Sequence, residues 1–200
     1  MLSYLALGDS YTVGEGVALF ESFPYQLVQQ LRNANINCTG PEIVAKTGWT
    51  TDELLAHIRS HVFASEYGVI TLLAGVNNQY RGRPLEEFSS QFAALVDVAS
   101  ELCGGNSQRV FILSIPNWGL TPFAADRNIE LITKEIDSYN NLIEEYAKKA
   151  SCPFIDITST IDASTDIELL LTEDKLHPSA REYKRWATAV FNQLKTVYNR

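Results

Sequence analysis

The sequence predicts an α/β protein, a single domain over residues 1–200 in three α/β/α layers around a five-stranded, mostly parallel sheet. Three observations predict it. Short β-like runs alternate with helix-patterned segments along the whole chain. No linker, repeat or low-complexity stretch interrupts that alternation. The first three strand candidates are continuous apolar runs, or nearly so, as expected of strands covered on both faces.

Ser3–Leu7 is the first strand and ends abruptly in Gly8-Asp9-Ser10, with further glycines at Gly14 and Gly16. Helical spacing follows over Tyr25–Arg32, then a strand over Glu42–Ala45 and a helix over Thr51–Arg59. Val69–Leu73 is the third strand, and Pro84–Cys103 the helix after it. Arg109–Ser114 and Pro153–Ile157 complete the sheet, with a helix over Asn128–Ala150 between them. The last helix is the clearest. Ser179 and Glu182 fit a capping box, and Tyr183, Trp186, Ala187, Val190, Phe191 and Leu194 recur at helical spacing. Connections between elements read as short, without an insertion long enough for a lid. In a sheet of this kind, sites form at the carboxyl ends of the strands.

Bulk properties narrow the function. Two hundred residues with 46% hydrophobic and 20% charged side chains bury a sufficient core without metal or disulfides. A net charge of −8 and a pI near 4.9 oppose binding to nucleic acid or to an anionic membrane surface. No apolar run reaches the length of a membrane span. Cys38, Cys103 and Cys152 are odd in number, widely spaced and read as buried reduced thiols. No signal-peptide pattern precedes Ser10, so a cytoplasmic protein is expected if Met1 is the natural start.

Gly8-Asp9-Ser10 leaves the first strand at the site-forming edge. A Walker loop fails because Gly14 is followed by Glu15, and a dinucleotide fingerprint fails because Gly14-Glu15-Gly16 has no third glycine. The G-x-S-x-G elbow is half met, since Thr12 occupies the second glycine position. A serine nucleophile needs a base held by a third group. His57 and His61 share a helical segment over Thr51–Val62 and read as solvated positions, with no metal ligand near them. His177 lies between the last strand and the last helix, on the same edge as Ser10, with Asp174 three residues earlier. From a loop turn, Asp174 can reach the His177 Nδ1 and fix its tautomer.

Four short blocks in chain order resemble those of the GDSL/SGNH hydrolases, small α/β serine esterases and lipases with a flavodoxin-like fold. They are "GDSYT" with Ser10, "KTGWTT" with Gly48, "GVNNQ" with Gly75 and Asn77, and Asp174-Lys-Leu-His177. The resemblance covers nearly the whole chain. It implies a Ser10–His177–Asp174 triad, no cofactor or metal, and an oxyanion hole made of the Ser10 N–H, the Gly48 N–H and the Asn77 amide. Glycine at 48 would let a backbone donor approach the reacting atom closely. Two positions depart from the family. Asn78 stands where the third block has aspartate, which puts a supporting hydrogen bond in question, and Tyr11 replaces the leucine of the family name.

Tyr11, Trp49, Tyr80 and Trp118 are the candidate substrate-binding residues, with Phe123 nearby in the sequence. Arg81 and Arg83 are available to an anionic substrate group. The expected partner is a small-molecule ester with a short acyl or acetyl group. The same chemistry serves a lysophospholipase, a thioesterase, a carbohydrate O-deacetylase or an acyl transferase. Two other classes stay open, a catalytically silent binding module and a nucleotide binder of similar topology. Oligomeric state is not readable from the sequence.

Overall fold

The computed structural model describes residues 1–158 and 167–198. Its sheet has five strands, β1 (Leu2–Gly8), β2 (Cys38–Ala45), β3 (Val69–Leu73), β4 (Val110–Leu113) and β5 (Phe154–Ile155), in the spatial order β2-β1-β3-β4-β5. Every pairing between them is parallel. β3 has the expected bounds, and all five of its residues are buried. β5 shrinks to two residues, whereas β2 starts at Cys38, earlier than the apolar pattern shows. β2 is an edge strand and mostly half-buried, so its first residues carry little hydrophobic signal.

The helices are α1 (Ser10–Val13), α2 (Phe23–Asn33), α3 (Thr51–Ile58), α4 (Val76–Tyr80), α5 (Leu85–Leu102), α6 (Ile129–Lys149) and α7 (Ala180–Tyr198). α2 and α7 pack together, while α3 and α6 flank α5. The α5 face with Phe88, Phe92, Leu95, Val96 and Ala99 is buried, as is the α6 face with Ile132, Ile136, Tyr139, Ile143 and Ala147. At about 25 cal/mol per Å² of apolar area, such faces dominate the stabilisation of an amphipathic helix.

Register positions the site. Gly8 pairs with Ala45 on one side and with Leu73 on the other. The three chain segments that carry Ser10, Gly48 and Asn77 therefore leave the sheet at one level. β1 lies between β2 and β3, where the strand order reverses and open α/β sheets form their crevice.

Several expectations need correction. α3 ends at Ile58, so His61 is not on the helix with His57; its Nε2 lies 2.9 Å from Glu42 Oε1. The Ser179–Glu182 box does not form. The Ser179 N–H donates to the Leu170 carbonyl, and Glu182 accepts from Trp186 Nε1 at 2.9 Å. A capping box stands at α3 instead, where the Thr50 N–H donates to the Glu53 carboxylate at 2.9 Å. The connection over residues 114–128 is long and carries two 3-10 turns, Trp118–Leu120 and Pro122–Ala124. The three cysteines are free and buried, and burial pushes the Cys103 thiol up to about 12 and Cys152 to about 11. No helix among the described residues is long and apolar enough to cross a membrane.

Candidate active site

The turn after β1 is fixed by packing. A Cβ on Gly8 would stand 2.2 Å from Thr12 Oγ1 and 2.5 Å from the Leu73 carbonyl, so only glycine lets α1 sit against the end of β3. Asp9 is fully buried and caps α1, its Oδ1 accepting the Tyr11 N–H at 3.0 Å. Gly14 ends the helix at a φ of +86°. Ser10 is thereby the first residue of a one-turn helix, its position set by its neighbours on both sides.

The opposite partner comes from the hairpin-like segment 171–178, closed by an antiparallel bridge between Leu171 and Pro178. His177 Nε2 lies 3.0 Å from Ser10 Oγ, and its Nδ1 lies 2.6 Å from Asp174 Oδ2. The other Asp174 oxygen accepts from the Leu176 and His177 N–H groups, both at 2.9 Å, and from the Thr172 hydroxyl at 2.7 Å. Burial would raise the Asp174 pKa, but the His177 ring and these donors outweigh it and hold the carboxyl well below the usual range. An ionised Asp174 at Nδ1 leaves Nε2 as the acceptor facing Ser10.

Gly48 has a φ of +84°, while a Cβ there would meet nothing closer than Arg81 Nη2 at 3.6 Å. The backbone conformation by itself calls for glycine here. Arg81 donates to the Gly48 carbonyl at 2.5 Å and to Glu53 at 3.3 Å, so it braces this loop and is not directed at a substrate. Asn77 Nδ2 donates to the Trp49 carbonyl at 3.0 Å and to Asp9 Oδ2 at 3.3 Å. Asn78 is fully buried and structural. Its Oδ1 accepts the Thr51 N–H at 3.0 Å and its Nδ2 donates to Thr51 Oγ1 at 2.8 Å, tying α4 to the start of α3. Here a neutral amide satisfies both groups without burying a charge.

Ser10, Tyr11, Thr47, Gly48, Val76, Asn77, Tyr80, Trp118, Phe123, Leu176 and His177 surround one open cavity of about 220 Å³. The Tyr11 ring packs on His177 with centroids 5.1 Å apart, and burial keeps its phenol neutral by raising its pKa. Tyr80, Trp118 and Phe123 form an aromatic wall; Trp118 is fixed by its Nε1–H, which donates to Gln79 at 2.7 Å. Trp49 is not at this cavity. Its ring packs on that of His57, with centroids 4.9 Å apart. Arg83 pairs with Glu87 at 3.5 Å. Thr47, Val76 and Leu176 were missed. Each directly precedes a residue singled out from the sequence, and that adjacency was the available signal.

Comparison with known proteins bears on the family and the fold. The family model described as the GDSL-like lipase/acylhydrolase family matches residues 6–185. The spore germination lipase LipC of Bacillus licheniformis is 27% identical over 203 aligned positions, covering 92% of each chain. Among solved structures, TesA superposes with a TM-score of 0.77 at 16% identity, covering 98% of this chain and 99% of that one. The psychrotrophic esterase EstA of Pseudoalteromonas sp., inhibited by monoethylphosphonate, gives 0.74 at 15% identity over all of both chains. Axe2, an acetyl xylan esterase from Geobacillus stearothermophilus, gives 0.74 at 18%, covering 96% of this chain and 94% of its own. These structures share the fold, and the family model extends over almost all of the sequence that builds it. The chain belongs to the GDSL-like lipase/acylhydrolase family, enzymes of the esterase and lipase class.

Proposed function

We propose that the protein is a serine esterase that hydrolyses short-chain acyl esters through an acyl-enzyme on Ser10. The observation that carries this is the continuous Ser10 Oγ–His177 Nε2, His177 Nδ1–Asp174 Oδ2 contact chain at the floor of an open cavity. Ser10 Oγ attacks the ester carbonyl as its proton passes to His177 Nε2, and Asp174 steadies the imidazolium. Collapse of the tetrahedral adduct breaks the bond to the alkoxide, which leaves with that proton. Water then attacks the acyl group, giving a proton to His177, and the carboxylic acid departs as Ser10 recovers its own.

The oxyanion faces the N–H groups of Ser10 and Gly48, neither of which is engaged by an acceptor among the described residues. Asn77 supplies a third donor. Its 3.3 Å bond to Asp9 is the longer of its two and the one that yields. Burial pushes the Asp9 carboxyl up to about 7 against the opposing hydrogen bonds. A neutral Asp9 competes for the Asn77 N–H less strongly than a carboxylate would.

The cavity of about 220 Å³, walled by aromatic and aliphatic side chains, suits a small acyl group. Relatives named as lipase and acetyl xylan esterase bracket the leaving groups to be tried. The test is hydrolysis of p-nitrophenyl esters from acetate to dodecanoate by the wild type and by Ser10→Ala, with labelling of Ser10 by an organophosphonate. Short-chain turnover and labelling, both lost in Ser10→Ala, are expected. A wild type that neither turns over these esters nor takes the label is a silent fold, and the reading fails.

A further inference from the structure

The cavity at Ser10 ends against Tyr11, Trp118 and Leu176, and these same three side chains border a second space on their far side. That space, about 40 Å³, is lined by apolar groups that include Ile157, Leu170, Leu171 and Pro178. The three side chains are a partition between a reacting centre and an apolar void.

They are not held alike. Tyr11 is buried and lies against both His177 and Trp186, with ring centroids 5.1 and 6.1 Å away. Trp118 is buried, bonded to Gln79 and packed edge-on against Tyr80 at 5.2 Å. Leu176 is only half-buried and has no polar anchor in its side chain; its backbone N–H makes the bond to Asp174. Truncating that side chain leaves the Asp174 contact in place while opening the partition.

We propose that Leu176 sets the acyl length accepted at Ser10 by shutting off the apolar space behind it, which would otherwise take the distal carbons of a longer saturated acyl chain. This rests on the esterase reading and specifies its substrate. Its occupant is an acyl chain because the space adjoins the Ser10 cavity across shared walls and its accessible lining is mostly apolar. At roughly 10–15 Å³ for each water-sized group, it takes about three carbons.

The experiment compares kcat/KM for p-nitrophenyl acetate, butyrate, hexanoate, octanoate and decanoate in the wild type, Leu176→Ala and Leu176→Phe. In Leu176→Ala the optimum moves to chains about three carbons longer, with the long-to-short ratio rising by up to about fourfold for each methylene accommodated. Leu176→Phe moves it the other way. Refilling the space with Leu170→Phe in the Leu176→Ala background returns the preference to short chains. Should Leu176→Ala lose its thermal transition, Leu176→Val gives the same direction with a smaller step. A Leu176→Ala enzyme that works through Ser10 with an unmoved chain-length optimum overturns this proposal alone. A wild type without Ser10-dependent hydrolysis overturns the esterase reading, and this proposal with it.

Discussion

The two sides of the proposed triad are built differently. The nucleophile side is part of the core: Asp9 and Thr12 are fully buried, Ser10 nearly so, and Gly8 admits no side chain. The base side is a surface hairpin, where the Asp174 side chain is 43% exposed and Lys175 adopts a φ of +60°. Steric exclusion fixes the first, and hydrogen bonds converging on one carboxylate fix the second. Apart from Ser10 itself, a change in the first therefore registers as lost stability, whereas a change in the second registers as lost rate.

The largest break in that comparison is expected at His177. His177→Ala lowers kcat by about four orders of magnitude or more while the melting temperature stays within a few degrees, as stopped kinetics and calorimetry will show. Asp174→Asn comes next, with a fall of about a hundred- to ten-thousandfold in kcat. Because the Asp174 carboxyl is held below the usual range, the wild type loses no activity through its protonation in mildly acid buffer. An acid limb in kcat/KM that vanishes in Asp174→Asn would contradict this.

Asp9 sharpens the contrast through stability. Its pKa is raised to about 7 in the fold from 3.8, so the neutral form is favoured when folded. The contribution is fully present below about pH 4 and is lost as pH rises towards 7, a change on the order of 4 kcal/mol at most. Urea melts from pH 4 to 8 are expected to show this decline in the wild type. Asp9→Asn, which keeps an acceptor for the Tyr11 N–H, should flatten it. Arg81→Ala, which frees the Gly48 carbonyl, is expected to cost about tenfold in kcat with little change in KM. The smallest effect belongs to Trp49→Phe, within about twofold in kcat/KM on short esters, because that ring faces His57 instead of the cavity.

The sequence carried most of the fold because buried parallel strands write themselves as apolar runs; Val69–Leu73 is the clearest instance. It carried the positions of Ser10, Gly48, Asn77 and His177 because each follows a strand or precedes a helix in a recognisable block. What it did not carry was direction. Trp49 stands next to Gly48 in the chain yet its ring packs on His57 and does not line the cavity that Gly48 borders. Leu176 and Val76 look like ordinary apolar residues until the cavity is seen. The Thr50–Glu53 box was legible in "TTDE" and was eclipsed by the Ser179–Glu182 pattern, whose carboxylate turns inward to Trp186.

The contact between Ser10 and His177 spans 167 positions of the chain. The turn that holds Ser10 needs only β1 and β3, but its base arrives with the last hairpin and α7, which packs on α2. During synthesis from the amino end, Ser10 is thus in place well before His177 can reach it. On the proposed mechanism catalysis waits for the docking of α7, and esterase activity in a nascent or refolding chain is a direct clock for that step.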